Sequence, residues 1–152
     1  MKAKISTVIK TNEDRMWREL QKTSSLMHVA APMLMFKPQT NHALPESWSI
    51  GVEYKLKLFF FGLIPLGDHC INLVEFNHDE KTIVSNEYGR LTDVWNHVIK
   101  IKAIDEQTLE YTDEIEIKAG MLTFSIWLFA HLFYRHRQRR WKELLNRQSI
   151  SG

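Results

Sequence analysis

Three side chains capable of acid/base chemistry, Glu87, His97 and Asp113, lie in segments that otherwise alternate like β-strands. In the segment around His97, Lys100 and Lys102 must face water, so His97 faces the opposite side of the strand. The same alternation predicts that Asp113 and Glu87 face inward on neighbouring strands. Because burial raises a carboxyl pKa and a nearby carboxylate tunes an imidazole, such a group suits general acid/base catalysis.

The turns between these segments predict how the three residues meet. A turn centred near Thr92 sets Glu87 opposite His97. A turn around Glu106 sets Asp113 diagonal to His97, at roughly 7–8 Å between backbones. Buried polar residues in a sheet more often satisfy one another, and no nucleophile or glycine-rich phosphate loop accompanies these three. The seven histidines show no zinc-like pairing, so we expect neither a metal nor a cofactor.

Composition indicates a globular domain with a substantial core. The chain has 152 residues, of which 44% are hydrophobic and 25% charged, which predicts one domain over residues 1–152. Cys70 is the single cysteine, so no disulfide framework is expected. The first residues, MKAKISTVIKT, lack the apolar core of a signal peptide, and the predicted compartment is the cytoplasm.

The order of predicted elements places the three residues in a sheet. KAKISTVIK alternates as a half-buried strand, TNEDRMWRELQK and TSSLMHVAAP are typical of short helices, and LMFKPQ adds a short strand. A meander of five antiparallel strands follows from about residue 50, and a long helix begins at Gly120. The predicted fold class is α+β, a curved antiparallel sheet of about 6–7 strands wrapped around the last helix. The meander strands are VEYKLKLFFFGLIPLG, DHCINLVEFN, KTIVSNEYG, DVWNHVIKIKAID and QTLEYTDEIEIKAG.

Four stretches, GLIPLGDH, NEYGRLTDVWNH, YTDEIEIKAG and WLFAHLFYRHRQRRW, carry a family resemblance. With the element order, they resemble the helix-grip fold of the SRPBCC superfamily, which includes START lipid-transfer domains, pollen allergens and polyketide cyclases. More narrowly, they resemble a bacterial ligand-binding branch of unassigned function. The resemblance implies a cavity between sheet and last helix for an apolar or aromatic small molecule, lipid-like or polyketide-like. It implies no single reaction, since one fold hosts many functions.

The inward faces of this fold provide the candidate binding residues. On the last helix, stepping back from Trp141 by three or four residues predicts the face that the sheet grips. His69, Cys70 and Asn72 are left unassigned, because the preceding FFFGLIP stretch is compatible with a bulge. The candidates are Tyr54, Leu56, Leu58, Trp95, His97, Tyr111, Asp113, Phe124, Trp127 and His131.

Three functions remain open at this point. The favoured hypothesis is a binding or carrier protein in which the polar residues anchor one end of an apolar ligand. The second is a cyclase- or dehydratase-like enzyme that uses Glu87, His97 and Asp113. The third is a module that binds a protein or a membrane through the basic C-terminal helix.

The basic stretch within residues 129–141 carries Arg135, Arg137, Arg139 and Arg140 after an apolar run. The run, residues 119–134, has only 16 residues, whereas a membrane span takes about 20. We predict that the arginines occupy the solvated face of the helix end, where positive charge suits the helix dipole. Nucleic-acid binding is not expected, because no aromatic platform or recognised module accompanies the charge.

A second apolar side of this helix, formed by Leu122, Ile126, Phe129 and Phe133, also requires a cover. The favoured cover is the FFFGLIPL segment of the same chain. A second subunit in a homodimer comes next, and a membrane surface is the least favoured alternative.

Overall fold

The computed structural model describes the backbone of residues 1–151 and the side chains of residues 1–146. The predicted order of strands and helices is confirmed. The elements are β1 (Lys2–Ile9), α1 (Glu13–Leu20), α2 (Thr23–Ala30), β2 (Leu34–Pro38), β3 (Glu53–Phe60), β4 (Ile64–Asn77), β5 (Thr82–Gly89), β6 (Val94–Asp105), β7 (Thr108–Lys118), a 3-10 turn (Gly120–Leu122) and α3 (Thr123–Ser151).

All seven strands form one antiparallel sheet in the order β1-β7-β6-β5-β4-β3-β2. The long helix α3 packs against β1, β7 and α2, so the predicted α+β helix-grip fold is confirmed. Alternation along the strands produces the inner face of the sheet. In β7, Leu109, Tyr111, Asp113, Ile115 and Ile117 are all buried, as the period of two predicts.

The first predicted strand of the meander is in fact two strands. A turn at Phe61 and Gly62 separates β3 from β4, and both residues have positive φ, 51° and 71°. Glycine adopts this left-handed conformation without steric cost, so Gly62 is the sequence signal for the turn. The pairing of β3 with β4 also shifts register between Leu58 and Phe59, which confirms the irregularity that the sequence suggested there.

The face of α3 that packs inward matches the predicted one from Tyr134 to Leu145 and departs from it toward the start of the helix. Ala130, Tyr134 and Trp141 are buried, but Phe124 is 58% exposed and does not face the interior. At 3.6 residues per turn, Phe124 and Ile126 lie on opposite flanks of the buried stripe. The three-or-four spacing defines a stripe without deciding which of its flanks lies over the cavity, and in the first turns of α3 the prediction followed the other flank.

The flank that includes Ile126, Phe129 and Phe133 packs against the β3–β4 hairpin. The rings of Phe60 and Phe129 lie 6.1 Å apart, and Phe133 is buried. Cover by the same chain, the favoured explanation, is therefore confirmed for these three residues. Leu122, the fourth, is 52% exposed. Among the described residues, no helix is both long enough and apolar enough to cross a membrane.

The four arginines divide into two pairs. Arg135 and Arg139 are exposed, as predicted. Arg140 donates a hydrogen bond from Nη2 to the backbone oxygen of His28 at 3.0 Å, which ties α3 to α2. Arg137 is buried, with only 7% of its surface exposed. The prediction that all four are solvated is wrong for Arg137 and Arg140, because the inward stripe of α3 continues through position 137.

Candidate functional site

A cavity of about 290 Å³ lies between α2, α3 and the inner face of β2 to β6. Its volume is close to the lower end of the range for ligand pockets, roughly 300–1,000 Å³. Most of its wall is aliphatic or aromatic: Met27 and Ala30 come from α2, and Phe129 and Phe133 come from α3. Polar side chains also reach this wall, and these are His69, Ser85, Glu87, Thr92, His97, Tyr134, Arg137 and Asp68.

Four residues singled out from the sequence lie in this wall: Leu58, Glu87, Trp95 and His97. Trp95 donates a hydrogen bond from Nε1 to the hydroxyl of Tyr134 at 2.9 Å, across the space between β6 and α3. This bond holds both rings against the cavity. The strand alternation was sufficient to identify these residues, because all of them face inward from the sheet.

Four other candidates are buried next to the cavity without lining it. Tyr54 packs edge-on against Trp48 with ring centroids 4.8 Å apart, and its hydroxyl accepts a hydrogen bond from the backbone N–H of Ser49 at 2.8 Å. Tyr111 packs against Trp141, with ring centroids 6.4 Å apart. Leu56 and Asp113 are also buried. Their predicted placement in the cavity wall is corrected: none of the four lines the cavity, and Trp48 and Trp141 pack against the two tyrosines.

The remaining three candidates, Phe124, Trp127 and His131, are on the flank of α3 next to β1. Trp127 donates from Nε1 to the backbone oxygen of Lys2 at 2.8 Å, and the ring centroids of Trp127 and His131 lie 4.5 Å apart. None of the three lines the cavity. Their positions in the predicted site are wrong for the same reason as the helix face, since one flank of the stripe was mistaken for the other.

The pair His97 and Asp113 forms as the sequence predicted. His97 donates from Nε2 to Asp113 Oδ1 at 2.7 Å, and Tyr111 donates its hydroxyl to the same oxygen at 3.1 Å. Gln138 of α3 donates from Nε2 to Asp113 Oδ2 at 3.0 Å, and the same amide reaches the backbone oxygen of Ile5 at 2.8 Å. Asp113 is fully buried, its carboxylate links β6, β7 and α3, and the Gln138 amide extends the link to β1.

Glu87 has different partners from those predicted. The register of β5 and β6 pairs Ser85, not Glu87, with His97. Glu87 instead accepts hydrogen bonds from Ser85 Oγ at 2.7 Å and from His69 Nε2 at 2.8 Å. The predicted pairing with His97 is therefore wrong. A turn centred one residue earlier than assumed moves every opposing pair on the two strands by two positions.

The polar end of the cavity consists of Ser85, Glu87, His97, Tyr134, His69 and Arg137. Sequence reasoning missed chiefly His69 and Arg137. His69 faces the cavity, whereas Cys70 lies opposite Tyr88 on the outer face. The phase of β4 was hidden by the turn at Gly62 and the register shift that follows it. Arg137 precedes Trp141 by one helical turn, so the periodicity contained a signal for its burial. Among the described residues, no three His, Cys, Asp or Glu side chains are grouped as metal ligands.

Burial and hydrogen bonding shift the pKa of the Glu87 carboxyl in opposite directions. Burial raises the pKa of Glu87, but the hydrogen bond and charge of His69, the charge of His97 and the Ser85 hydroxyl outweigh it, so the pKa is lowered. Burial raises the pKa of Tyr134, and burial and the Asp113 charge raise that of Tyr111. Both phenols therefore keep their protons at neutral pH.

We expect the lowered pKa of Glu87 to appear in the pH dependence of stability. A depressed carboxyl pKa stabilises the fold fully above the pKa of the unfolded chain, ordinarily 4.5, and that stabilisation is lost as the pH falls through the folded-state pKa. Urea unfolding between about pH 6 and about pH 3 should show a smaller acid-induced loss for Glu87→Gln than for the unchanged protein.

The matched control is Glu106→Gln in the exposed β6–β7 turn, which should show the same acid-induced loss as the unchanged protein. Equal losses in the Glu87 variant and the unchanged protein would show that the pairing with His69 contributes nothing to stability.

Comparison with known proteins adds a family and a fold. Residues 7–145 match the family model described as Domain of unknown function (DUF8410). No curated protein matches the chain.

Solved structures share the fold at low sequence identity. A Chromobacterium violaceum protein matches with a TM-score of 0.73 and 12% identity, over 95% of this chain and 96% of that one. A START superfamily protein from Mycobacterium smegmatis matches with a TM-score of 0.67 and 8% identity, over 97% and 98%. Norcoclaurine synthase from Thalictrum flavum, solved with dopamine and hydroxybenzaldehyde, matches with a TM-score of 0.66 and 9% identity, over 97% and 87%. The resemblance to the SRPBCC superfamily is thus confirmed as a shared fold.

Proposed function

The chain belongs to the DUF8410 family of domains of unknown function, and we propose that it binds an apolar or aromatic small molecule between its sheet and its C-terminal helix. The observation that carries the proposal is the cavity of about 290 Å³. Close-packed interiors contain few voids larger than a water molecule, so a space of this size favours a ligand-binding site. We also propose a cytoplasmic location, since the lone Cys70 offers no disulfide.

The composition of the wall supports an apolar body with one polar end. Aliphatic and aromatic side chains of α2, α3 and the sheet make up most of it, whereas Glu87, His97 and Arg137 bring polar groups to it. A largely apolar pocket with a few convergent polar groups is the usual form of a small-molecule site. The polar groups fix the orientation of the ligand, and the apolar wall contributes most of the binding free energy.

Catalysis is the runner-up, and its support is the hydrogen bond from His97 Nε2 to Asp113 Oδ1 at 2.7 Å. A buried carboxylate that orients a histidine is a known arrangement for a general base. The interpretation is weaker because three donors already satisfy Asp113, and because Glu87 is paired with His69 rather than His97. A module working through the basic helix is less favoured still, since Arg137 is buried and Arg140 donates a hydrogen bond to α2.

Filling the cavity is expected to weaken the binding of an apolar probe. Ile126 lines the cavity from α3, whereas Leu128, two residues later, is exposed. We expect Ile126→Trp to weaken the binding of the neutral dye Nile red by about tenfold or more, because the larger ring occupies the space that the dye needs. Titrating the dye and following its emission measures the affinity.

Leu128→Trp is the matched control, since it makes the same kind of enlargement on the outer side of the same helix. It should leave the dye affinity unchanged. Dye that fails to bind the unchanged protein, or binds the Ile126 variant equally well, would contradict the proposed function.

A further inference from the structure

The guanidinium of Arg137 is a buried cation in the wall of the cavity. Only 7% of the residue is exposed, and its guanidinium carbon lies 5.1 Å from the ring centroid of Tyr134 and 5.8 Å from that of Phe133. Its Nε is buried and has no hydrogen-bond partner. Stacking on aromatic rings holds the planar group in one orientation and leaves the edges that carry its N–H donors free.

The nearby carboxylates do not neutralise this cation through direct contacts. The two oxygens of Asp113 accept from His97, Tyr111 and Gln138. Those of Glu87 accept from Ser85 and His69. Within residues 1–146, whose side chains are described, no carboxylate oxygen lies within 4.0 Å of the Arg137 nitrogens, and no hydrogen bond joins Arg137 to another residue.

A buried charge without a hydrogen-bonding partner is unfavourable, so the position of Arg137 has a direct implication for the ligand. The charges of Asp113 and Glu87 favour the guanidinium through space, but an uncharged apolar body leaves its N–H donors without an acceptor, and a cationic group is repelled by it. A phosphate dianion would bring two negative charges beside Glu87 and Asp113 for only one unpaired cation. A carboxylate carries one negative charge, and its two oxygens match the guanidinium fork.

We propose that the cavity takes an apolar carboxylic acid, aliphatic or aromatic, whose ionised carboxylate binds Arg137. The inference rests on the proposed function and makes it specific, since it assigns the charge and the end group of the ligand. The acid enters with its apolar body between α2, α3 and the sheet, and its carboxylate lies against the polar end of the cavity.

The test compares ligands that share a body and differ in the end group. The probes are decanoate and decanol, with naphthoate and naphthalenemethanol as an aromatic pair, each measured by displacement of Nile red at neutral pH. We expect each acid to bind about ten- to a hundredfold more tightly than its alcohol, because a hydrogen-bonded charge pair in a buried site adds that much affinity.

Arg137→Gln should remove this preference while leaving the alcohols bound, which also verifies that the variant is folded. Arg139→Gln, an exposed neighbour on the same helix, should keep the preference. Preference retained in the Arg137 variant would overturn the inference. Alcohols that bind the unchanged protein as tightly as the acids would overturn it too and leave the proposed function standing, whereas failure of every probe and of Nile red would overturn both.

A measurement on the unchanged protein keeps the test independent of folding. Decanoate labelled with carbon-13 at its carboxyl group reports its ionisation by NMR as the pH is lowered. The bound acid should remain ionised to a lower pH than the free acid, because the guanidinium favours the charged form. A bound carboxyl that titrates at the same or a higher pH than the free acid would show that it does not meet Arg137.

Discussion

Asp113→Asn is expected to reduce the free energy of unfolding by about 3–5 kcal/mol, because it alters a fully buried carboxylate on which three hydrogen bonds converge. The carboxylate is fully buried and accepts three hydrogen bonds, from His97, Tyr111 and Gln138. Asparagine keeps the shape but has one acceptor oxygen, and its NH₂ group faces a donor where the second oxygen was. Urea denaturation at neutral pH measures the loss.

Glu114→Gln is the control, since the next residue of β7 carries a carboxylate on the outer face. Its side chain is one-third exposed and lies 3.2 Å from the Nζ of Lys100. Exposed pairs of this kind contribute about 0–1 kcal/mol. Equal losses in the two variants would contradict the view that Asp113 holds α3 against the sheet.

Trp141→Ala is expected to cost about 3–5 kcal/mol, the range for removing a large aromatic side chain from a core. Trp141 is fully buried on the inner stripe of α3 and packs against Tyr111, within a core cluster that also includes Met16, Leu20 and Leu145. The alanine variant leaves a cavity that the surrounding helix and sheet close only in part. Thermal and urea unfolding report the loss.

Trp127→Ala is the matched control, because the sequence places both tryptophans on the gripped face of the same helix. In the structure Trp127 lies on the flank, half-buried, with one hydrogen bond to the backbone of Lys2. Its loss should cost about 1–2 kcal/mol. An equal or larger loss at Trp127 would mean that both tryptophans are buried on the gripped face, as the sequence alone suggested.

The variants at Asp113 and Trp141 test stability, whereas those at Arg137 and Ile126 test ligand binding. Asp113 and Trp141 lie outside the wall of the cavity, whereas Arg137 and Ile126 line it. Changes at the first two positions should therefore act mainly through unfolding. Changes at the second two should act mainly on the affinity for the probe.

Local periodicity was sufficient to predict the element order, a curved sheet around the last helix and the pairing of His97 with Asp113, and the family resemblance added the helix-grip fold. Alternation with a period of two decides which strand residues face inward, and a tight turn between β6 and β7 leaves little freedom in register. The same reasoning assigned Leu58, Trp95 and Glu87 to the inner face, where the structure has them in the cavity wall.

What only the tertiary structure decided depends on positions that periodicity leaves open. The partner of Glu87 changed from His97 to His69 because the turn before β6 is centred one residue earlier than assumed. A helix with apolar residues on two flanks has no sequence signal for the flank that meets a cavity. Phe129 therefore lines the cavity, whereas Phe124, the predicted residue, is exposed. Arg137 was read as solvated because charge ordinarily is, and only the packing of α3 against the sheet puts its guanidinium beside Tyr134 and inside the cavity wall.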